Sequence, residues 1–135
     1  MKIEERFINY TKIDTTSDPE SNTCPSTPDQ FVLADMLVEE LKQLGVEDAR
    51  RDHNGFVYGT IESNVDYPCD VVGFLAHLDT SDATSGKDIK ARIIRDYDGQ
   101  DILLSEGIYT RVNDYPFLKE LKGKDLIVTD GTTLL

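Results

Sequence analysis

A chain of 135 residues is the size of one ordinary domain or of a piece of a larger one. Hydrophobic residues make up 39% and charged residues 30%, a globular composition, and no stretch approaches the roughly 18 consecutive apolar residues of a membrane span. The net charge of −12, from 26 acidic against 14 basic residues, argues against nucleic-acid binding by phosphate neutralisation, because no basic stripe is present.

The opening Met1-Lys2-Ile3-Glu4-Glu5-Arg6 lacks the apolar core of a secretory signal, so a cytoplasmic address without membrane attachment is expected. There, Cys24 and Cys69, distant and without Cys-x-x-Cys spacing, read as two reduced thiols. Ile3, Phe7 and Tyr10 recur at helical spacing and predict a short amphipathic helix over residues 2–12. Residues 14–28 form a polar loop rich in Ser, Thr, Asp and Pro. It ends in a helix start: Thr27 as cap, Pro28 at the first helical position, Gln30 reaching back as in a capping box. The helix runs to Leu44 with Phe31, Ala34, Leu37, Val38, Leu41 and Leu44 on one face, and Gly45 stops it.

Beyond Gly45 the period changes. Residues 46–51 and 56–61 read as strands joined by the turn His53-Asn54-Gly55, a hairpin. Residues 70–76 are nearly all apolar, and continuous hydrophobicity predicts a central strand buried on both faces. Residues 90–95, 101–104 and 125–129 are further strand candidates. Residues 116–121 read as a short helical turn, capped by Asn113 or Asp114 and stopped by Gly123. No internal repeat or linker interrupts the chain. Its last stretch, an apolar strand, a turn and then Thr132-Thr133-Leu134-Leu135, reads as a cut within a larger structure. Apolar surface is expected to lie uncovered around residues 126–128 and at Leu134-Leu135, so that the isolated fragment self-associates as a homo-oligomer or recruits a partner to hide it.

Chemistry concentrates where the run 71–76 ends. The chain has two histidines, and one of them, His77, closes this run with Asp79 two residues later. In extended backbone, side chains two apart share a face, and ligands of open α/β sheets bind at the carboxyl ends of strands. A neutral imidazole ligates zinc, and a nearby carboxylate fixes its tautomer through the other ring nitrogen. A solvated strand end carrying a chance His-x-Asp is the other reading, and residue types alone leave both open. His53, in a turn among charged residues, reads as surface. The stretch 81–88 fails as a phosphate-binding loop because Ser81 replaces the first glycine and Asp88 follows the lysine. Residues 96–101 fail as a calcium loop because the glycine comes too early and the twelfth position lacks glutamate. No Gly-x-Ser-x-Gly elbow exists for a serine hydrolase.

The stretches "ERFINYTKIDTTSD", "CPSTPDQ", "GFLAHLDTSDATSGKDI" and "YPFLKELKGKDLIVTDGTTLL" occur here in that order. In them the chain resembles the N-terminal part of the peptidase T family, the tripeptide-aminopeptidase branch of the co-catalytic di-zinc metallopeptidases. The resemblance implies an α/β fold: the first portion of a catalytic domain spanning residues 1–135, a mixed sheet with helices on both faces. It also implies two zinc ions per complete site, with His77 ligating one and Asp79 orienting it, and a tripeptide as substrate. In the family "TDGTTLL" runs into Gly-Ala-Asp-Asp, which supplies a bridging carboxylate. A general-base glutamate, the other ligands and an inserted dimerisation domain follow. With none of these in residues 1–135, the fragment is expected to be inactive alone. The alternatives are a truncated non-catalytic chain acting by weak metal or partner binding, and a related dipeptidase or deacylase, whose sites share His-x-Asp.

Overall fold

Residues 1–133 are described in the computed structural model, and the chain falls into two units, Thr15–Asp79 and Met1–Asp14 together with Thr80–Leu135. Leu134 and Leu135, where uncovered apolar surface is expected, lie outside the described residues.

The unit Thr15–Asp79 is built on one helix, here α2 (Asp29–Gln43), the N-terminal helix of the other unit, Ile3–Tyr10, being α1. Its inner face carries Gln30, Leu33, Ala34 and Val38, all buried. Burying a side chain such as Leu33 or Val38 contributes about 1.5–3 kcal/mol. Leu44, placed on the apolar face by periodicity, is instead 64% exposed, because the chain turns away at that point. The turn is a Schellman closure: Val46 N–H donates to the Leu41 carbonyl at 3.0 Å and Gly45 N–H to the Lys42 carbonyl at 3.0 Å. Gly45 adopts φ +94°, which a residue with a Cβ resists.

The start of α2 differs from the expected cap. Thr27 Oγ1 donates to the Thr16 carbonyl at 2.9 Å, and Gln30 Nε2 donates to Thr27 Oγ1 at 3.0 Å and to Ser26 Oγ at 3.2 Å. The hydroxyl is engaged with the preceding loop, so the helix starts without a side-chain cap.

The hairpin follows as β1 (Arg50–Arg51) and β2 (Val57–Tyr58), antiparallel with Arg50 opposite Tyr58 and Arg51 opposite Val57. Its strands are shorter than expected because residues 46–49 close the helix and turn, Ala49 N–H donating to the Val46 carbonyl at 3.2 Å. Asp52 Oδ1 organises the turn by accepting from the N–H groups of Asn54 (3.0 Å) and Phe56 (2.9 Å). Arg51 ties β1 to α2: its Nε donates to Asp35 Oδ1 at 2.6 Å, and its guanidinium lies 4.4 Å from the Phe31 ring centre. Beyond β2, Asp48 accepts from both the N–H and the hydroxyl of Thr60, which hold its carboxyl below the ordinary range.

Residues 71–76 correct the central-strand expectation. They form no strand, and Val71, Phe74 and Leu75 are 99%, 96% and 96% exposed. A doubly buried strand needs a partner on each edge and cover on each face, and the described elements give this segment neither.

In the other unit, α1 (Ile3–Tyr10) forms as predicted but presents Ile3 and Phe7 to solvent and buries none of its residues. Glu4 Oε1 meets Arg95 Nη2 at 3.2 Å, and Arg95 Nη1 meets Asp125 Oδ2 at 2.5 Å. Strand β3 (Arg92–Ile94) pairs antiparallel with β6 (Leu126–Val128), Ile93 opposite Ile127. Between them in sequence, β4 (Ile102–Ser105) and β5 (Ile108–Thr110) form a second hairpin with a bulge between Leu103 and Ser105.

Tyr97, Ile102, Val112 and Leu118 make the core of this unit, packed by Ile94, Leu104, Leu121, Leu126 and Val128. The phenol of Tyr97 donates to the Gln100 carbonyl, and burial, then the charges of Asp98 and Asp101, push its pKa up. Leu118 belongs to a 3-10 helix, Pro116–Leu121, with Pro116 at its start and no side-chain cap from Asn113 or Asp114. Gly123 (φ +79°) ends that turn and donates its N–H to the Tyr97 carbonyl at 2.7 Å.

Strand β6 corrects a second expectation: residues 126–128 are half-buried and paired with β3, with Leu126 and Val128 packed on the core, not open apolar surface. Helix and strand are mixed as the α/β reading requires. Among the described residues the strands form three two-stranded antiparallel sheets and no single mixed sheet, because the segment expected at its centre is unpaired.

Candidate functional site

The apolar run delivers His77 and Asp79 to one place, as the spacing predicts. His77 Nδ1 lies 2.6 Å from the main-chain carbonyl oxygen of Asp79 and 3.3 Å from its Oδ1. Both oxygens are acceptors, so Nδ1 bonds to them in the tautomer that carries the ring proton there, and that tautomer leaves the Nε2 lone pair free for a ligand. The two side chains are 83% and 45% exposed. They stand at the end of an uncovered segment and not at the end of a sheet strand, which corrects the expected setting of the pair.

These residues line a cavity of about 780 Å³ formed entirely within the unit Thr15–Asp79. Cys24, Ser26 and Gln30 line it from the loop and the first turn of α2, Asn54 and Tyr58 from the hairpin, and Phe74, His77 and Asp79 from the uncovered segment. Two stretches that carry the resemblance, "CPSTPDQ" and "GFLAHLDTS", thus meet around one space. Periodicity does not place Cys24, Gln30, Asn54 or Tyr58 beside His77. The available signal was the density of small polar residues ahead of α2. Cys24 and Cys69 are both free thiols, as expected, and Cys24 Sγ lies 3.7 Å from the Asn54 carbonyl. His53 is exposed in the hairpin turn and is not part of the lining.

The pair fits a single metal ligand with its orienting partner. It does not amount to a metal centre: among the described residues no three His, Cys, Asp or Glu side chains converge, whereas a catalytic zinc takes about three protein ligands and an open position. No described helix is long and apolar enough to cross a membrane.

The proteins this chain is similar to carry the name of a peptidase. The likeness is to peptidase T. The chain is 48% identical over 136 residues to the peptidase T of Geobacillus sp. (strain WCH70), covering 99% of this chain and 33% of that protein. It is 53% identical over 133 residues to that of Geobacillus thermodenitrificans, covering 97% and 32%. It is 48% identical over 133 residues to that of Clostridium botulinum (strain Hall), covering 97% and 33%. The chain therefore spans about a third of the length of the curated relatives it matches. No protein-family model matches it.

Proposed function

We propose that this chain is part of a tripeptide aminopeptidase of the peptidase T kind, a zinc metallopeptidase that removes the N-terminal residue of tripeptides in the cytoplasm. One observation carries the reading: identity of 48–53% to peptidase T proteins over 97–99% of the chain. Residues 1–135 would belong to the catalytic domain. His77 would ligate one zinc through Nε2, and Asp79 would orient the ring and raise its basicity. Zinc bound there would supply polarisation of the scissile carbonyl and a lowered pKa for a bound water. The remaining ligands of a two-zinc site would come from outside this chain, and the uncovered residues 71–75 favour assembly with further chain or with a second copy.

The test uses a full-length protein containing this sequence, assayed for release of the N-terminal residue from di-, tri- and tetrapeptides and for hydrolysis of acylated amino acids. Tripeptide preference is expected. His77→Ala should remove one metal equivalent and most activity, and Asp79→Asn should lower affinity or rate about 10–100-fold. Preference for dipeptides or acylated amino acids would overturn the substrate reading, and a fully active His77→Ala would overturn the ligand. Residues 1–135 alone should show no metal-dependent turnover, because a catalytic zinc takes about three protein ligands.

A further inference from the structure

Among the described residues that line the cavity, Gln30 is the buried polar one, at 9% exposure. Its amide nitrogen is fully used. Nε2 donates to Thr27 Oγ1 at 3.0 Å and to Ser26 Oγ at 3.2 Å, with the Thr15 carbonyl at 3.5 Å. These neighbours also fix which way round the amide sits. The Thr27 hydroxyl spends its proton on the Thr16 carbonyl and the Thr15 carbonyl has none, so neither could donate to an oxygen placed there. Oε1 therefore takes the other position, and no described residue donates to it. A buried acceptor without a donor is costly, and beside a cavity it is open to the N–H of a ligand.

Charge selects the kind of donor. Asp79 supplies the acidic side chain of the lining, and no Lys or Arg is among the residues that form it. The start of α2 does not draw an anion in compensation. There the N–H groups of Gln30 and Phe31 are taken by the carbonyls of Thr27 (3.4 Å) and Pro28 (3.0 Å). The volume of about 780 Å³ is within the range of small-molecule sites.

We propose that Gln30 Oε1 accepts from a ligand's primary ammonium group, so that the cavity takes the amine end of a peptide and not its carboxylate end. Gln30 then determines specificity by selecting a free N-terminus over an acylated one. That the ligand is the substrate rests on the proposed aminopeptidase reading; the ammonium site itself does not.

The experiment uses the 135-residue chain with 13C-labelled glutamine, in which the exposed Gln43 and Gln100 are internal references. The probes are trialanine amide and propionyl-alanyl-alanine amide, which has hydrogen in place of the ammonium. Trialanine amide should shift the Gln30 side-chain carbonyl signal and leave those of Gln43 and Gln100 in place. It should bind about tenfold or more tighter than the propionyl compound, the usual effect of a charge-assisted hydrogen bond. In Gln30→Met, with the amide signals of Ala34 and Val38 reporting an intact α2, the two probes should bind alike. Should that variant unfold, the unsubstituted chain decides alone. Equal affinities there, no binding, or equal shifts of all three glutamines would overturn the proposal, as would a preference that persists in folded Gln30→Met. The peptidase reading fails separately: a full-length protein that prefers acylated amino acids would sink it and leave the ammonium site standing.

Discussion

Strand β4, in the core around Tyr97, and the segment 71–75 start from similar material, short apolar runs that read as strands. Their fates diverge: Ile102 and Leu118 are each 5% exposed, while Val71 and Phe74 are 99% and 96% exposed. The segment is the more apolar of the two, so hydrophobicity does not explain the difference. Pairing does. Strand β4 meets β5 across the two residues Glu106 and Gly107, and β3 finds β6. No described strand pairs with residues 71–75. An apolar run states what a segment requires, and only the rest of the chain decides whether the requirement is met.

The comparison breaks most sharply under truncation. Ile102→Ala should destabilise the chain by about 2–5 kcal/mol in a urea titration, the usual cost of emptying a packed site. Phe74→Ala should stay within about 0.5 kcal/mol, as for surface positions. Equal losses would mean that residues 71–75 are covered in solution.

Glycines sharpen the same contrast at smaller scale. A Cβ on Gly131, at φ +82°, would come 2.7 Å from Ile108 Cγ2 and 3.0 Å from Leu104 Cδ1, whereas one on Gly73 would meet nothing within 4 Å. Gly131→Ala should therefore cost about 1–3 kcal/mol, with Gly73→Ala near neutral. A melting temperature unchanged by Gly131→Ala would show that this turn is not held as described.

Acid should produce the smallest difference. Asp125 is held below the ordinary carboxylate range first by the Arg95 guanidinium and then by the Asp96 N–H. Asp130 is held down first by the hydroxyl and then by the N–H of Thr132, and Glu4 first by a backbone hydrogen bond and further by Arg95. In the unit Thr15–Asp79, Asp48 shows such a shift. A depressed folded pKa means that the unfolded chain binds more protons. The stabilisation is therefore complete above the unfolded value and is lost as pH falls through the folded one, from about pH 4 downward. Amide signals of the Tyr97 core should weaken over that range, and less steeply in Asp125→Asn. Identical acid profiles for the two proteins would remove Asp125 from the account.

What could be read in advance was what short-range chemistry determines. The stop at Gly45, the hairpin around Gly55, the turn 116–121 and its end at Gly123 all follow from glycine, proline and periodicity within a few residues. Strand β5 was missed because Glu106-Gly107 is a weaker hairpin signal than Asn-Gly or Asp-Gly, although Gly107 takes φ +76°. At the site, the approach of Asp79 to His77 follows from the i, i+2 rule. The cavity residues Cys24, Gln30, Asn54 and Tyr58 lie far from His77 in sequence, and no periodicity encodes that distance.

The nesting of β4–β5 inside β3–β6 has a consequence for chain entropy. The penalty for bringing Arg92 opposite Val128 grows with the logarithm of the free loop between them. A chain already folded back at Glu106-Gly107, and tightened again at Gly123 where Tyr97 meets Lys124 at 2.9 Å, has little free loop left to close. The long-range ladder is reached through short-range steps, so this unit's topology carries a lower closure cost than the sequence separation of its outer strands suggests.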